Sequence, residues 1–156
     1  MNFLVKLVKE GKISLIEESK NVSESYLEKS SSNLEAARIL LKNNKLEESI
    51  SFVYYSMYNL VLSLFFLVGI KSENHSASIF LLNEVFDIDN EPLVEAKKER
   101  IDKQYYVGFK ISKMEVKESL EVAEDFCRDL RAFILGLGNG TIKTYREKLK
   151  EILEDE

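Results

Sequence analysis

The stretch Leu46–Val68, LEESISFVYYSMYNLVLSLFFLV, decides how the rest of the chain must be read. Ile50, Val53, Met57, Val61, Leu64 and Val68 recur at steps of three and four, the spacing of one face of a helix. Gly69 follows directly, where a helix commonly ends on a residue of positive φ. No charge falls between Ser49 and Ile70, so by length alone this is a candidate membrane span, for which about 20 apolar residues suffice. Two features argue against that reading. Ser56, Asn59 and Ser63 form a polar stripe, and Tyr54, Tyr55 and Tyr58 sit mid-segment, whereas a lipid-facing helix keeps tyrosine near its ends. The stretch therefore reads as the central helix of a soluble bundle, away from any membrane. Because a small bundle rarely buries one helix all round, Tyr54, Tyr55, Tyr58, Phe65 and Phe66 are candidate interface residues toward a second copy of the chain.

Working outward, Ser23 to Asn43 places Leu27, Leu34 and Leu41 on one stripe with Ala37. Ser76 to Phe86 carries Ile79, Leu82 and Phe86 at helical spacing, after a polar loop from Lys71 to Asn74. Pro92 suits the first turn of a further helix reaching Tyr105 or Tyr106, with Val94, Ile101 and Tyr105 inward and Lys97, Arg100 and Gln104 on a polar face. From Ser112 to Leu137, the residues Val116, Leu120, Ala123, Cys127, Leu130, Ile134 and Leu137 line a seam typical of bundles. Gly138-Asn139-Gly140 breaks that helix, and Thr141 to Glu156 makes a short charged one that could dock loosely or project. No alternating strand pattern competes. The expectation is an all-α, antiparallel up-and-down bundle of about four to five main helices with a short C-terminal helix. Residues 1–137 would form the bundle, and residues 138–156 a linker and charged helix.

Composition agrees with this and narrows the chemistry. Six glycines and one proline in 156 residues exclude collagen-like and low-complexity chains and leave too few turn signals for a sandwich of short strands. Twenty-two basic against 27 acidic residues give a net charge of −5 with the signs interspersed, so neither DNA nor anionic lipid is expected as a partner. One cysteine and one histidine provide neither an intrachain disulfide nor a zinc set; no metal or cofactor is expected, and a reducing cytoplasm fits. The N-terminal MNFLVKLVKEGK has a lysine inside its short apolar stretch and no small-residue cleavage site, so it does not read as a signal peptide. Phosphate-cradling glycine motifs are absent from the sequence.

Lys97, Arg100, Gln104, Tyr105 and Tyr106 lie within a few helical turns. A guanidinium fork can hold a phosphate and a phenol ring can stack a base, although a solvated helix face has the same composition. His75, the only side chain of ordinary pKa near neutrality, stands in Ser72-Glu73-Asn74-His75-Ser76, which also reads as a helix start, so a capping or loop role competes with catalysis. Cys127 falls on the apolar stripe and reads as a core residue.

Several of these segments together resemble the HEPN family (higher eukaryotes and prokaryotes nucleotide-binding), in its small stand-alone prokaryotic and archaeal form. They are Leu34-Glu35-Ala36-Ala37-Arg38-Ile39-Leu40-Leu41, Phe52-Val53-Tyr54-Tyr55-Ser56-Met57-Tyr58, Lys71 through Ser76, Arg100 through Tyr106, and Ala123-Glu124-Asp125-Phe126, within roughly Ser23 to Phe133. The resemblance implies a helical bundle that commonly homodimerises, binds nucleotide or RNA, and pairs with a minimal nucleotidyltransferase in a toxin–antitoxin-like system. Many members are metal-independent ribonucleases in which an arginine is followed four to six residues later by histidine. Here the region reads Arg100-Ile101-Asp102-Lys103-Gln104-Tyr105-Tyr106 and contains no histidine, so full ribonuclease activity is not expected. Two alternatives stand beside the binding reading. One is a ribonuclease using Arg100 with Tyr105 or His75 as a non-standard partner, and the other is a purely structural or antitoxin-like interaction module.

Overall fold

A computed structural model describes residues 2–105 and 110–155, the side chains of residues 2, 102–105 and 155 excepted. In chain order these form α1 (Asn2–Lys9), β1 (Ile13–Leu15), α2 (Lys20–Lys42), α3 (Leu46–Val68), β2 (Ile70–Ser72), α4 (His75–Phe86), α5 (Glu91–Tyr105), α6 (Lys113–Leu135) and α7 (Asn139–Asp155). The architecture is the expected all-α bundle, with α3 at its centre. Of the 18-residue window that makes α3 apolar enough to cross a membrane, 67% is buried inside the protein, so its apolarity is used in packing. Tyr54, Met57, Leu60, Leu64 and Phe65 are all fully enclosed.

The helix ends follow local chemistry. Ser19 caps α2 by accepting from Val22 N, and Ser112 and Glu115 form a reciprocal capping box at the start of α6. Gly69 ends α3 in the left-handed region, at φ 84°.

The closest helix pairing, α2 against α3, rests on small side chains. Ser23, Ser30 and Ala37 recur every seven residues on α2, and Ser63, Ser56 and Ser49 meet them in antiparallel order on α3, all of them buried. The Ser63 hydroxyl donates to Ser23 O (2.8 Å), the Ser30 hydroxyl to Ser56 O (2.6 Å) and the Ser49 hydroxyl to Ala37 O (2.8 Å). Each hydroxyl thus reaches a backbone carbonyl of the opposite helix, which only a close approach of the two backbones allows. The polar stripe of α3 is this seam, and Cys127 of α6 packs on it beside Ser56 as a core residue whose thiol burial pushes upward in pKa.

Two features depart from the sequence reading, and a third decides what it left open for the C-terminal helix. First, β1 and β2 pair antiparallel, with Ile13 opposite Ser72 and Leu15 opposite Ile70, so part of the expected polar loop after Gly69 is a short strand. Runs of three residues carry no readable alternation. Second, α5 turns Leu93 into the core and leaves Val94 39% exposed, so the inward face is rotated by one position. Third, α7 docks on the bundle through buried Ile142 and Leu149, and Tyr145 lies 4.7 Å from the Phe86 ring. The Arg146 guanidinium fastens it further by donating to Ile16 O (2.8 Å), Val68 O (2.9 Å) and Gly69 O (3.1 Å). Those carbonyls include the unsatisfied C-terminal end of α3, where a cation is also favoured by the helix dipole.

Candidate functional site

Tyr54 and Tyr58 are one helical turn apart on α3, so their rings stack at 5.8 Å, with Tyr55 edge-on to Tyr54 at 5.4 Å. Onto these rings the fold brings side chains from two other helices. The Arg100 guanidinium, from α5, lies 5.0 Å from the Tyr55 ring centre and 5.7 Å from that of Tyr54, within range of a cation–π attraction. His75, from the start of α4, stacks on Tyr58 at 3.9 Å and shares a hydrogen bond between its Nδ1 and the Tyr54 hydroxyl (2.8 Å).

The start of α4 is built to hold His75 there. The Asn74 side chain accepts from Ala77 N (2.9 Å) and is the N-cap, which leaves His75 as the first helical residue, its ring free to face α3. Ser78 bonds to Asn74 O (3.0 Å) and Ser72 (2.7 Å), and the Tyr58 hydroxyl lies 3.1 Å from Ser78. Lys97 donates to Ser76 (2.7 Å), so two cations of α5, Lys97 and Arg100, flank the positive end of α4.

Burial, then Lys97, then Arg100 hold the His75 pKa below its ordinary value of 6.5. The imidazole is therefore neutral at pH 7. Burial keeps the phenol of Tyr54 protonated far into the alkaline range and raises that of Tyr58 as well. A histidine that is harder to protonate when folded contributes its full stability above about pH 6.5 and loses it as the pH falls below that value. In urea unfolding at about pH 7.5 and pH 5.5, the wild type is expected to lose more stability than His75→Gln. Equal losses would show that His75 is as easily protonated folded as unfolded.

Beside the tyrosines opens a groove of about 440 Å³, lined by aromatic Tyr26, Phe52, Tyr55 and Tyr58 with His75, and by polar Lys29, Asn33 and Asn59. Lys29 stands 5.8 Å over the Tyr26 ring, and Asn59 donates to Asn33 (2.6 Å). Flat rings, amides and a cation side by side can stack and hydrogen-bond a planar heterocycle.

A model of the HEPN domain matches residues 23–133, more than two thirds of the chain. This chain belongs to the HEPN domain family. It is thus a helical protein of the nucleotide- or RNA-binding HEPN type. The matched span runs from the first turns of α2 to near the end of α6 and contains every described residue of the cluster, whereas α1, β1 and α7 lie outside it. No curated protein matches the chain significantly.

Within this HEPN domain, the residues singled out from sequence separate into groups. Lys97, Arg100 and His75 come together around the α3 tyrosines; Gln104 and Tyr105 lie on α5 with side chains outside the described residues, and Tyr106 is outside them altogether. Tyr54, Tyr58 and Phe65 are enclosed by their own bundle, so of the five candidate interface residues only Tyr55 and Phe66 reach the surface. Phe66 stacks on Tyr26 at 5.5 Å. No group of three or more metal-ligating side chains occurs among the described residues. The sequence reading missed Tyr26, Lys29 and Asn33. Their spacing of three and then four residues marks one face of α2, but only the α2–α3 pairing sets that face beside Tyr58.

Proposed function

We propose that this HEPN protein binds a nucleotide or single-stranded RNA where Arg100 and His75 meet the tyrosines of α3. Within this reading it acts in the cytoplasm as a homodimer, with a minimal nucleotidyltransferase partner in a toxin–antitoxin-like pair. The observation that carries the binding reading is the convergence of Arg100, Lys97 and His75 on Tyr54, Tyr55 and Tyr58, beside a groove rich in aromatic rings. The cations suit a phosphate, and the partly exposed rings of Tyr55, Tyr26 and Phe52 suit a base. The net charge of −5 makes attraction depend on this local arrangement. The partner and its pairing rest on the family resemblance.

Calorimetric titration with AMP and with a short single-stranded RNA tests the binding. Arg100→Ala and Tyr55→Ala are each expected to weaken the affinity about tenfold or more, equivalent to about 1.4 kcal/mol. Absence of binding, or affinities equal to wild type, would overturn the reading. Co-purification with the product of a neighbouring nucleotidyltransferase gene, and sedimentation of the chain alone, test the partner and the dimer.

A second reading, ribonuclease activity, is favoured by one observation: the fold supplies from α4 a neutral histidine to the arginine's cluster that α5 itself lacks. With Nδ1–H donating to Tyr54, Nε2 would accept the proton of a 2′-hydroxyl as its oxygen attacks the adjacent phosphorus. The P–O5′ bond breaks, leaving a 2′,3′-cyclic phosphate and a 5′-oxygen that takes a proton back from the imidazolium, while Arg100 opposes the charge developing on the phosphate oxygens. Metal-free cleavage of single-stranded RNA, lost in both His75→Ala and Arg100→Ala, is the result this reading requires.

A further inference from the structure

On the face formed by α5 and α6, away from the α2–α3 groove, two hollows of about 430 and 210 Å³ adjoin and share Pro92 and Val122. Their floor is apolar. Ile88, Phe126, Leu130 and Phe133 line the larger one, Met57 and Ala96 the smaller one, and Val122 stands 47% exposed at the junction. Their rim is acidic throughout. Glu95, Glu99, Glu115 and Glu118 border the smaller hollow, Asp89, Asp125 and Asp129 the larger, and no lysine or arginine is among the described lining residues of either. Glu99 accepts from Ser119, and Glu115 is held in the capping box with Ser112. Arg128 bonds to Asp125 (3.1 Å) and Asp129 (3.3 Å) and is itself 69% exposed, so the carboxylates offered to a partner are Glu95 and Glu118 on the smaller hollow and Asp89, Asp125 and Asp129 on the larger.

The shape of this surface follows from α6. Glu115, Glu118, Val122, Asp125, Asp129 and Phe133 follow one another at steps of three and four, one continuous face of a helix. From Glu115 to Phe133, at about 1.5 Å per residue, that face is about 27 Å long, which accommodates about five turns of another helix. Opposite it, Pro92, Glu95, Ala96 and Glu99 of α5 line the smaller hollow, and Pro92 with Ile88 and Asp89 just before α5 lines the larger.

We propose that this groove is a docking site for a basic amphipathic helix of a partner protein, its apolar stripe seated on Val122, Phe126 and Phe133 and its lysines or arginines meeting the carboxylates of the two rims. Charge complementarity selects this occupant. An apolar floor asks for an apolar ridge, carboxylates on both borders ask for cations on both flanks of that ridge, and a basic amphipathic helix presents both. A nucleic acid would meet carboxylates wherever it approached. The proposal stands apart from the nucleotide reading, since it uses none of the residues of the tyrosine cluster.

The test uses the full chain and a fluorescently labelled peptide of leucine and lysine in helical periodicity, long enough to fill about five turns, with a scrambled peptide of the same composition as control. Fluorescence anisotropy is expected to show the amphipathic peptide binding at least about tenfold more tightly than the scrambled one. Val122→Arg, and separately Glu118→Lys combined with Asp125→Lys, are each expected to weaken it about tenfold or more, with AMP and RNA binding unchanged. Both substitutions sit at exposed positions, and circular dichroism confirms that the variants are folded. Equal affinity for the two peptides, or insensitivity to Val122→Arg, would reduce the effect to unspecific charge attraction and overturn the proposal. So would a wild-type dimer that Val122→Arg converts to monomers, because the groove would then belong to a second copy.

Discussion

Gly69→Ala is expected to destabilise the protein by about 3 kcal/mol or more, measured as the shift in a urea unfolding curve. Gly69 ends α3 at φ 84°, where a side chain is strained whatever the space around it. There is also no space. A Cβ at this position would lie 2.5 Å from Ile16 O and would collide with the Arg146 guanidinium. Yielding on either side is costly, because Ile16 O and the carbonyls of Val68 and Gly69 are the acceptors through which Arg146 fastens α7 to the end of α3. Arg146→Ala separates the two contributions. It removes charge-assisted hydrogen bonds and should itself cost about 2 kcal/mol, while in that background Gly69→Ala should still be destabilising, since the strain and the Ile16 carbonyl remain. A loss below about 1 kcal/mol for Gly69→Ala in the intact chain would mean that this junction has more freedom than its contacts imply.

Ser30→Leu is expected to lower stability by a comparable amount, about 3 kcal/mol, and Ser30→Ala by about 1 kcal/mol. The difference between the two is informative. Alanine deletes one hydrogen bond, to Ser56 O at 2.6 Å, and keeps the close helix spacing. Leucine deletes the same bond and also forces apart two backbones that approach closely only because Ser23, Ser30 and Ala37 oppose Ser63, Ser56 and Ser49. That separation would strand the hydroxyls of Ser63 and Ser49, whose acceptors are on the opposite helix. On the outer side of α2, Ile39 is 54% exposed, and Ile39→Ser should change stability by no more than about 0.5 kcal/mol. If Ser30→Leu were tolerated as well as Ile39→Ser, the serine seam would not be what sets the distance between α2 and α3.

The helices could be read from the chain because their signals are local. Leu46–Val68 has its apolar residues at helical spacing and a glycine where it stops, and both are properties of a few consecutive residues. The same holds for α6, whose stripe from Val116 to Ile134 is buried as its periodicity requires. Misplaced features were those in which local signals are weak: the three-residue strands, and α5, where Leu93 and Val94 are adjacent apolar residues and only packing decides which one turns inward.

The candidate site was legible in its parts. Arg100, Lys97, His75 and the α3 tyrosines each stood out by residue type, and His75 stands at the helix start that the sequence indicates, but no local signal shows its ring meeting the tyrosines. Sequence alone determined that this is an acidic all-α bundle and that α5 lacks the histidine expected after its arginine. Tertiary structure decided that His75 joins Arg100 at the tyrosines, that Tyr26, Lys29 and Asn33 face the same groove, and that two acidic rims border one apolar floor between α5 and α6. The physical reason is that periodicity reports what one helix shows to its surroundings, whereas a site needs side chains from several helices, and their meeting depends on which helices pair and at what distance.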